Sequence, residues 1–130
     1  MADKINTHPD ISTRLVGRAD ELTPGKAQAS LLTLAEMAAD ERGLVHGGFI
    51  FGLADYAAML AVNDPNVVLG AAQSKFLAPV TVGDVAVATA VVVADNGRKR
   101  QVECHVKVGE KTVFQGEFTC FVLDKHVLDA

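Results

Sequence analysis

The stretch Phe49–Val62 constrains this chain more than any other. It runs for 14 residues, of which 12 are apolar; only Gly52 and Asp55 interrupt it. Ala54, Ala57, Ala58, Met59, Leu60 and Ala61 favour helix. Asn63-Asp64-Pro65-Asn66 ends it, because proline cannot continue a helix and disfavours helical geometry in its predecessor. At about 1.5 Å per residue the segment spans roughly 21 Å, short of the ~30 Å core of a bilayer, so no membrane span is expected. A helix this apolar nearly all round must be buried on most sides, and the rest of the chain has to supply the cover.

The flanking segments read as strands. Arg14–Leu22 and Ala27–Leu34 flank a Thr23-Pro24-Gly25-Lys26 turn and form a hairpin. Glu36–Glu41 is a short helical turn or irregular link broken by Gly43. After the helix the period changes to two. Val67–Leu77 is one strand, and Pro79–Asp84 is a turn. Val85, Val87, Thr89, Val91 and Val93 alternate with small apolar residues, which predicts a strand packed on both faces. Asp95-Asn96-Gly97 is a hairpin signal. Val102, Cys104, Val106 and Val108 then alternate with Glu103, His105 and Lys107, giving one dry and one wet face. Phe114, Gly116, Phe118, Cys120 and Val122 share one face of the last strand, and the tail from Lys125 is polar. Two strands, one helix and about four strands in a meander make an α+β chain. The simplest packing wraps a curved antiparallel sheet of five or six strands round the one long helix.

Composition bounds the rest. The 130 residues fit one domain, expected over 14–130, after a polar, loosely held arm at 1–13 carrying Pro9. With 49% apolar residues and a net charge of −4, disorder is excluded and a dedicated nucleic-acid binder is disfavoured. So high an apolar fraction in so short a chain suggests that a second copy covers part of it. Two cysteines, Cys104 and Cys120, make no disulfide framework, and they read as buried structural thiols. The first residues show no basic stretch followed by an apolar run. A cytoplasmic protein with reduced thiols is expected. His8, His46, His105 and His126 are too scattered for a metal site, so no metal is expected.

Chemistry concentrates in Asp40–Tyr56. Asp55 is the sharpest feature, because an ionised carboxylate in an apolar helix costs several kcal/mol unless it is paired, hydrogen-bonded or wet. The bland alternative is a carboxylate that faces solvent or caps a neighbouring element. His46-Gly47-Gly48 lies where the helix begins. The first amides of a helix lack internal acceptors and carry the positive end of its dipole, and glycine lets a ligand oxygen approach them closely. Such donors suit a developing oxyanion, although the same residues also serve as a flexible turn into a helix. Gly47 and Asp55 are eight residues apart, about 12 Å along one helix. A base and an oxyanion donor must both lie within ~3 Å of one reacting group. Two antiparallel copies about a two-fold axis meet that demand, because the middle of one helix then passes the start of the other. A dimer with two shared sites is the reading that follows.

His46-Gly47-Gly48-Phe49-Ile50-Phe51-Gly52-Leu53-Ala54-Asp55 resembles the helix-start motif of hotdog-fold acyl-CoA thioesterases. It is most similar to the phenylacetate-pathway type and to short stand-alone hotdog proteins. Leu77-Ala78-Pro79-Val80-Thr81-Val82-Gly83-Asp84 matches the family's proline-containing turn, and the element order also fits, so that the likeness covers Arg14–Leu123. The resemblance implies that Asp55 is the general base or nucleophile. It implies that the Gly47 N–H polarises the thioester carbonyl, that His46 orients or hydrogen-bonds, and that Gly48 permits close approach. Many relatives carry Asn where this chain has Asp40, which the resemblance makes a substrate-binding position; the alternative is a turn cap. Leu69 and Gly70 stand near where some relatives place a Ser or Thr. Arg98, Lys99 and Arg100 are candidates for the phosphates of CoA, with Lys75 a weaker one, against the plainer reading of a charged hairpin that blocks edge pairing. Tyr56 reads as packing. CoA enters as part of the substrate and no cofactor is implied. The implied assembly is a homodimer or a dimer of dimers. A non-catalytic acyl-CoA-binding hotdog module is the competing class. A hydratase or dehydratase is a third, whose His and acid motif is absent from the sequence.

Overall fold

The computed structural model describes residues 3–129. Six strands and one long helix follow one another along the chain: β1 (Arg18–Thr23), β2 (Lys26–Leu32), α1 (Gly47–Val62), β3 (Val67–Phe76), β4 (Val85–Asn96), β5 (Lys99–Val108) and β6 (Lys111–Val122). Short 3-10 turns occur at Ala35–Met37 and Val127–Asp129. All strands join one sheet in the order β1-β2-β4-β5-β6-β3, and every pairing is antiparallel. The sheet carries α1 on one face, which is the hotdog architecture.

Alternation along the strands decides what meets the helix. Ala27, Ala29 and Leu31 of β2, Ala86, Ala88 and Ala90 of β4, and Val102, Cys104 and Val106 of β5 are buried, as are Phe114, Phe118 and Cys120 of β6. The small side chains of β2 and β4 let the sheet close tightly on α1. The phenylalanines of β6 fill the wider side, where the Phe51 ring lies 5.6 Å from Phe118 and 6.3 Å from Phe114, centroid to centroid. Burying each such ring stabilises the fold by about 1.5–3 kcal/mol.

Several expectations need correction. The four later strands do not form a simple meander. Only β4, β5 and β6 run consecutively, while β3 crosses over to pair with β6 at the far edge. Nor is β4 packed on both faces: Val85, Val91 and Val93 point outward and are exposed, because the chain supplies a helix to one face of the sheet only. β1 begins at Arg18 and not Arg14, since Ser12 ties a turn there by accepting from the Val16 and Leu15 amides. α1 starts at Gly47, two residues before the apolar run. Cys104 and Cys120 are both buried, as expected, and the register sets Cys104 opposite Gly116 and Cys120 opposite Arg100.

Residues 1 and 2 of the expected N-terminal arm lie outside the described residues; further along it the Asp3 amide donates to Leu22 O at 3.0 Å, and Ile5 and Ile11 pack against the core. The clamp is Asn63, the left-handed residue (φ 55°) that caps α1. Its Oδ1 accepts from the Asn6 amide at 2.8 Å and its Nδ2 donates to the Lys4 carbonyl at 2.9 Å. Thr7 is buried, and its hydroxyl meets His8 Nδ1 at 2.7 Å. Burial lowers the His8 pKa, and its ring lies 6.3 Å from that of Tyr56, which is itself buried.

Candidate functional site

The start of α1 is fixed by a strap. Val45 N–H donates to Val80 O at 2.8 Å and His46 N–H donates to Met37 O at 2.9 Å. Bridges join Ala38 to Val45 and Leu44 to Thr81. His46 is thereby held extended (φ −62°, ψ 129°) as the residue before the helix, and its side chain makes no capping bond. The first helical amides, those of Gly47 and Gly48, find no acceptor among the described residues. Gly47 lies against the Phe76 ring of β3: a Cβ there would stand 3.1 Å from it. A Cβ at Gly48 would stand 3.0 Å from the His46 ring, so that glycine makes room for the histidine. The His46 ring is exposed, edge-on to Phe49 at 6.3 Å.

Asp55 sits two turns further on and is half-buried, as are Gly52 and Val62 of the same helix. Its Oδ1 is buried and has no hydrogen-bond partner. Burial pushes the Asp55 pKa up from 3.8 to about 6. On β6, burial first and the Asp55 charge second push the Cys120 thiol up to about 12. β3 runs back past α1, with Phe76 at the helix start. Two residues earlier on the same face, the Ser74 hydroxyl is buried without a partner. Sequence reasoning missed Phe76, Ser74 and Cys120 as neighbours of the site. Period-two alternation set Cys120 on one face of the last strand and left Ser74 and Phe76 unassigned, and only the β3–β6 register brings them to the helix side.

The remaining candidates divide. Asp40 Oδ1 accepts from the Arg42 and Leu44 amides at 3.0 and 3.2 Å, so its carboxylate holds the turn that leads to the strap. Arg98 pairs with Asp124. Arg100 pairs with Asp95 at 3.0 Å and donates to Gly97 O at 2.7 Å, while Lys99 is exposed. This hairpin lies where β6 ends and β3 begins, toward the C-terminus of α1. A single chain therefore does not bring Arg98, Lys99 and Arg100 to its own Gly47.

Two cavities mark the surface. One of about 390 Å³ borders Gly47, with Val45, Ile50, Phe76 and Pro79 in its wall. The larger, about 590 Å³, is a trough over β3, β5 and β6. It separates the outward row Gln73, Glu117 and Glu103 from the row Lys75, Gln115 and His105. Lys75 thus belongs to the trough and not to the helix start. Among the described residues, no three His, Cys, Asp or Glu side chains are grouped to hold a metal, and no helix is long and apolar enough to cross a membrane.

Comparison with known proteins agrees with this fold. Residues 42–115 match the model of the family described as "Thioesterase superfamily". An uncharacterized protein from Pyrococcus horikoshii is 52% identical, with a TM-score of 0.98 over 99% of both chains. A variant of the phenylacetic acid degradation protein PaaI from Thermus thermophilus is 30% identical. Its TM-score is 0.78 over 84% of this chain and 95% of that one. Among curated proteins, the methylthioribose-1-phosphate isomerase of Aquifex aeolicus is 50% identical over 92% of this chain, which spans only 26% of that protein. Transcription factor FapR of Caldanaerobacter subterraneus is 33% identical over 91% of this chain and 60% of its own. The chain therefore covers a quarter to three fifths of these curated relatives. The family match, the six-stranded sheet on one helix and the likeness to PaaI agree, and the chain belongs to the thioesterase superfamily of hotdog-fold proteins.

Proposed function

We propose that this protein hydrolyses acyl-CoA thioesters in a homodimer, with Asp55 of one copy acting on a carbonyl held at Gly47 of the other. The observation that carries the reading is the unpartnered, buried Asp55 Oδ1 in a helix otherwise apolar. Natural proteins seldom leave a buried acid unsatisfied without a use for it. In the proposed step Asp55 takes a proton from water as the water oxygen bonds to the carbonyl carbon. The Gly47 N–H stabilises the oxyanion. Collapse breaks the C–S bond, and the sulfur leaves as CoA-SH with the proton returned from Asp55, giving the free acid. Direct attack by the carboxylate, with hydrolysis of the resulting anhydride, reaches the same products. His46 orients the ligand and Gly48 keeps that ring in place. Arg98, Lys99 and Arg100 of the partner copy meet the nucleotide phosphates, and Asp40 acts by holding the turn before the helix.

The test is thiol release from short, long and aromatic acyl-CoA esters, by wild type and by Asp55→Asn. Turnover of at least one class by wild type, falling by about 10²–10⁴ in the variant, is the expected result. Near-normal hydrolysis by Asp55→Asn removes Asp55 from the mechanism. The likeness to a transcription factor favours a second reading, an acyl-CoA-binding module without turnover. Saturable binding with no thiol release from any ester would select it.

A further inference from the structure

The cavity beside the helix start has a wall of one chemical kind. Val45, Ile50, Phe76, Leu77, Pro79 and Val113 contribute to it, and no charged or polar side chain does. Part of the backbone of that wall is spoken for. Val45 N–H donates to Val80 O, while the Leu77 and Ala78 amides donate to Val113 O at 2.8 and 3.3 Å. Pro79 has no N–H to offer. The amides left without an acceptor among the described residues are those of Val80 and of the start of α1. At about 390 Å³ the volume is of the order that holds a small ligand. Its rim is formed by Phe76 and Leu77, which are 56% and 49% exposed, two large apolar side chains left in water until something apolar covers them.

We infer that this cavity receives the hydrocarbon part of an uncharged acyl group and turns away acyl groups that end in a carboxylate. The inference rests on the acyl-CoA reading above and names the substrate class of that site. A thioester carbonyl at the Gly47 amide has two arms. The pantetheine arm carries two amide groups that need hydrogen-bond partners, which the side chains of this wall do not supply. The acyl arm needs none and gains by leaving water. A terminal carboxylate drawn in after it would lose its hydration among side chains that carry no charge, the partner copy's basic hairpin being engaged by the nucleotide phosphates in that reading. An apolar pocket rejects an added hydroxyl by about a hundredfold, and an ionised group fares worse.

The test compares isovaleryl-CoA with malonyl-CoA, which match in shape and differ in charge. Dethia analogues, with a methylene in place of the thioester sulfur, allow binding to the full chain to be measured without turnover. The isovaleryl analogue should bind at least about a hundredfold more tightly than the malonyl one. It should also bind more tightly than free CoA. Leu77→Arg, at an exposed rim position, should narrow or reverse the preference by placing a cation where the carboxylate would lie. Equal or tighter binding of the malonyl analogue overturns the inference while leaving the acyl-CoA reading intact. An unchanged preference in Leu77→Arg also overturns it. Failure of both analogues and of free CoA to bind overturns the acyl-CoA reading and this inference with it.

Discussion

Burial ties Asp55 to pH-dependent stability, and the proposed mechanism ties activity to the same pH range in the opposite direction. Its pKa rises from 3.8 to about 6 on folding, because burial disfavours the charged form. An acid raised in this way favours the folded state while it stays protonated. That contribution is full below the unfolded value and is lost as pH climbs through about 6. Asp55→Asn should therefore melt higher than wild type at mildly alkaline pH, by up to about 3 kcal/mol of stability. The gap should close in acid, which melting curves across pH would show. Hydrolysis should run the other way, rising with pH to a plateau as the carboxylate becomes a base, with an inflection near 6. Asp55 was legible in the sequence because one charge in a greasy run demands an explanation. Asp40 was less so: the residue type is the same whether it binds a ligand or, as here, accepts two backbone amides in a turn. Phe76 and Cys120 could not be assigned to the site, since nothing local encodes which strand passes the helix.

The helix is the element on which the site depends, and its two ends can be tested separately. Gly47 occupies the first helical position, where proline is well tolerated, and His46 before it is already extended. Gly47→Pro should fold, because the partly exposed Phe76 ring can yield the few tenths of an ångström required. It removes the one N–H proposed to hold the oxyanion, so turnover should drop by about 10²–10³ with little loss of stability. At the other end Asn63→Gly keeps the left-handed backbone and discards both side-chain bonds to Lys4 and Asn6. A loss of about 1–2 kcal/mol and faster hydrogen exchange at the Asn6 amide are expected. Helix, hairpins and strand faces were readable from period and turn chemistry, to within a few residues at each boundary. The place of β3 was not. An antiparallel meander is the default for consecutive strands, and β3 departs from it because α1, which comes between β2 and β3 in the chain, crosses the sheet face and delivers the chain to the far edge.

At the scale of the whole molecule, one chain leaves a good deal uncovered. β3 is an edge strand with exposed Ala71, Ala72 and Phe76, and β4 shows three valines on the outer face. An exposed apolar edge is a template for pairing. We expect sedimentation to give at least twice the 13.7 kDa of one chain, as a homodimer or a dimer of dimers, and a monomer at micromolar concentration would oppose the shared site. The proposal of a second copy came from the eight-residue gap between Gly47 and Asp55, too long for one helix to bridge. The surface such a copy would use was not legible, because that depends on which strand ends at the edge.

Mixing two crippled chains addresses the shared site most directly. Asp55→Asn retains the Gly47 amide and Gly47→Pro retains the carboxylate, so each variant alone should be nearly inactive. When the two are unfolded together and refolded, half of the dimers are mixed, and each mixed dimer regains one intact site of two. Thiol release should return to about one quarter of the wild-type rate. Mixed dimers that form and remain as inactive as their parents would contradict a site built from the middle of one helix and the start of another.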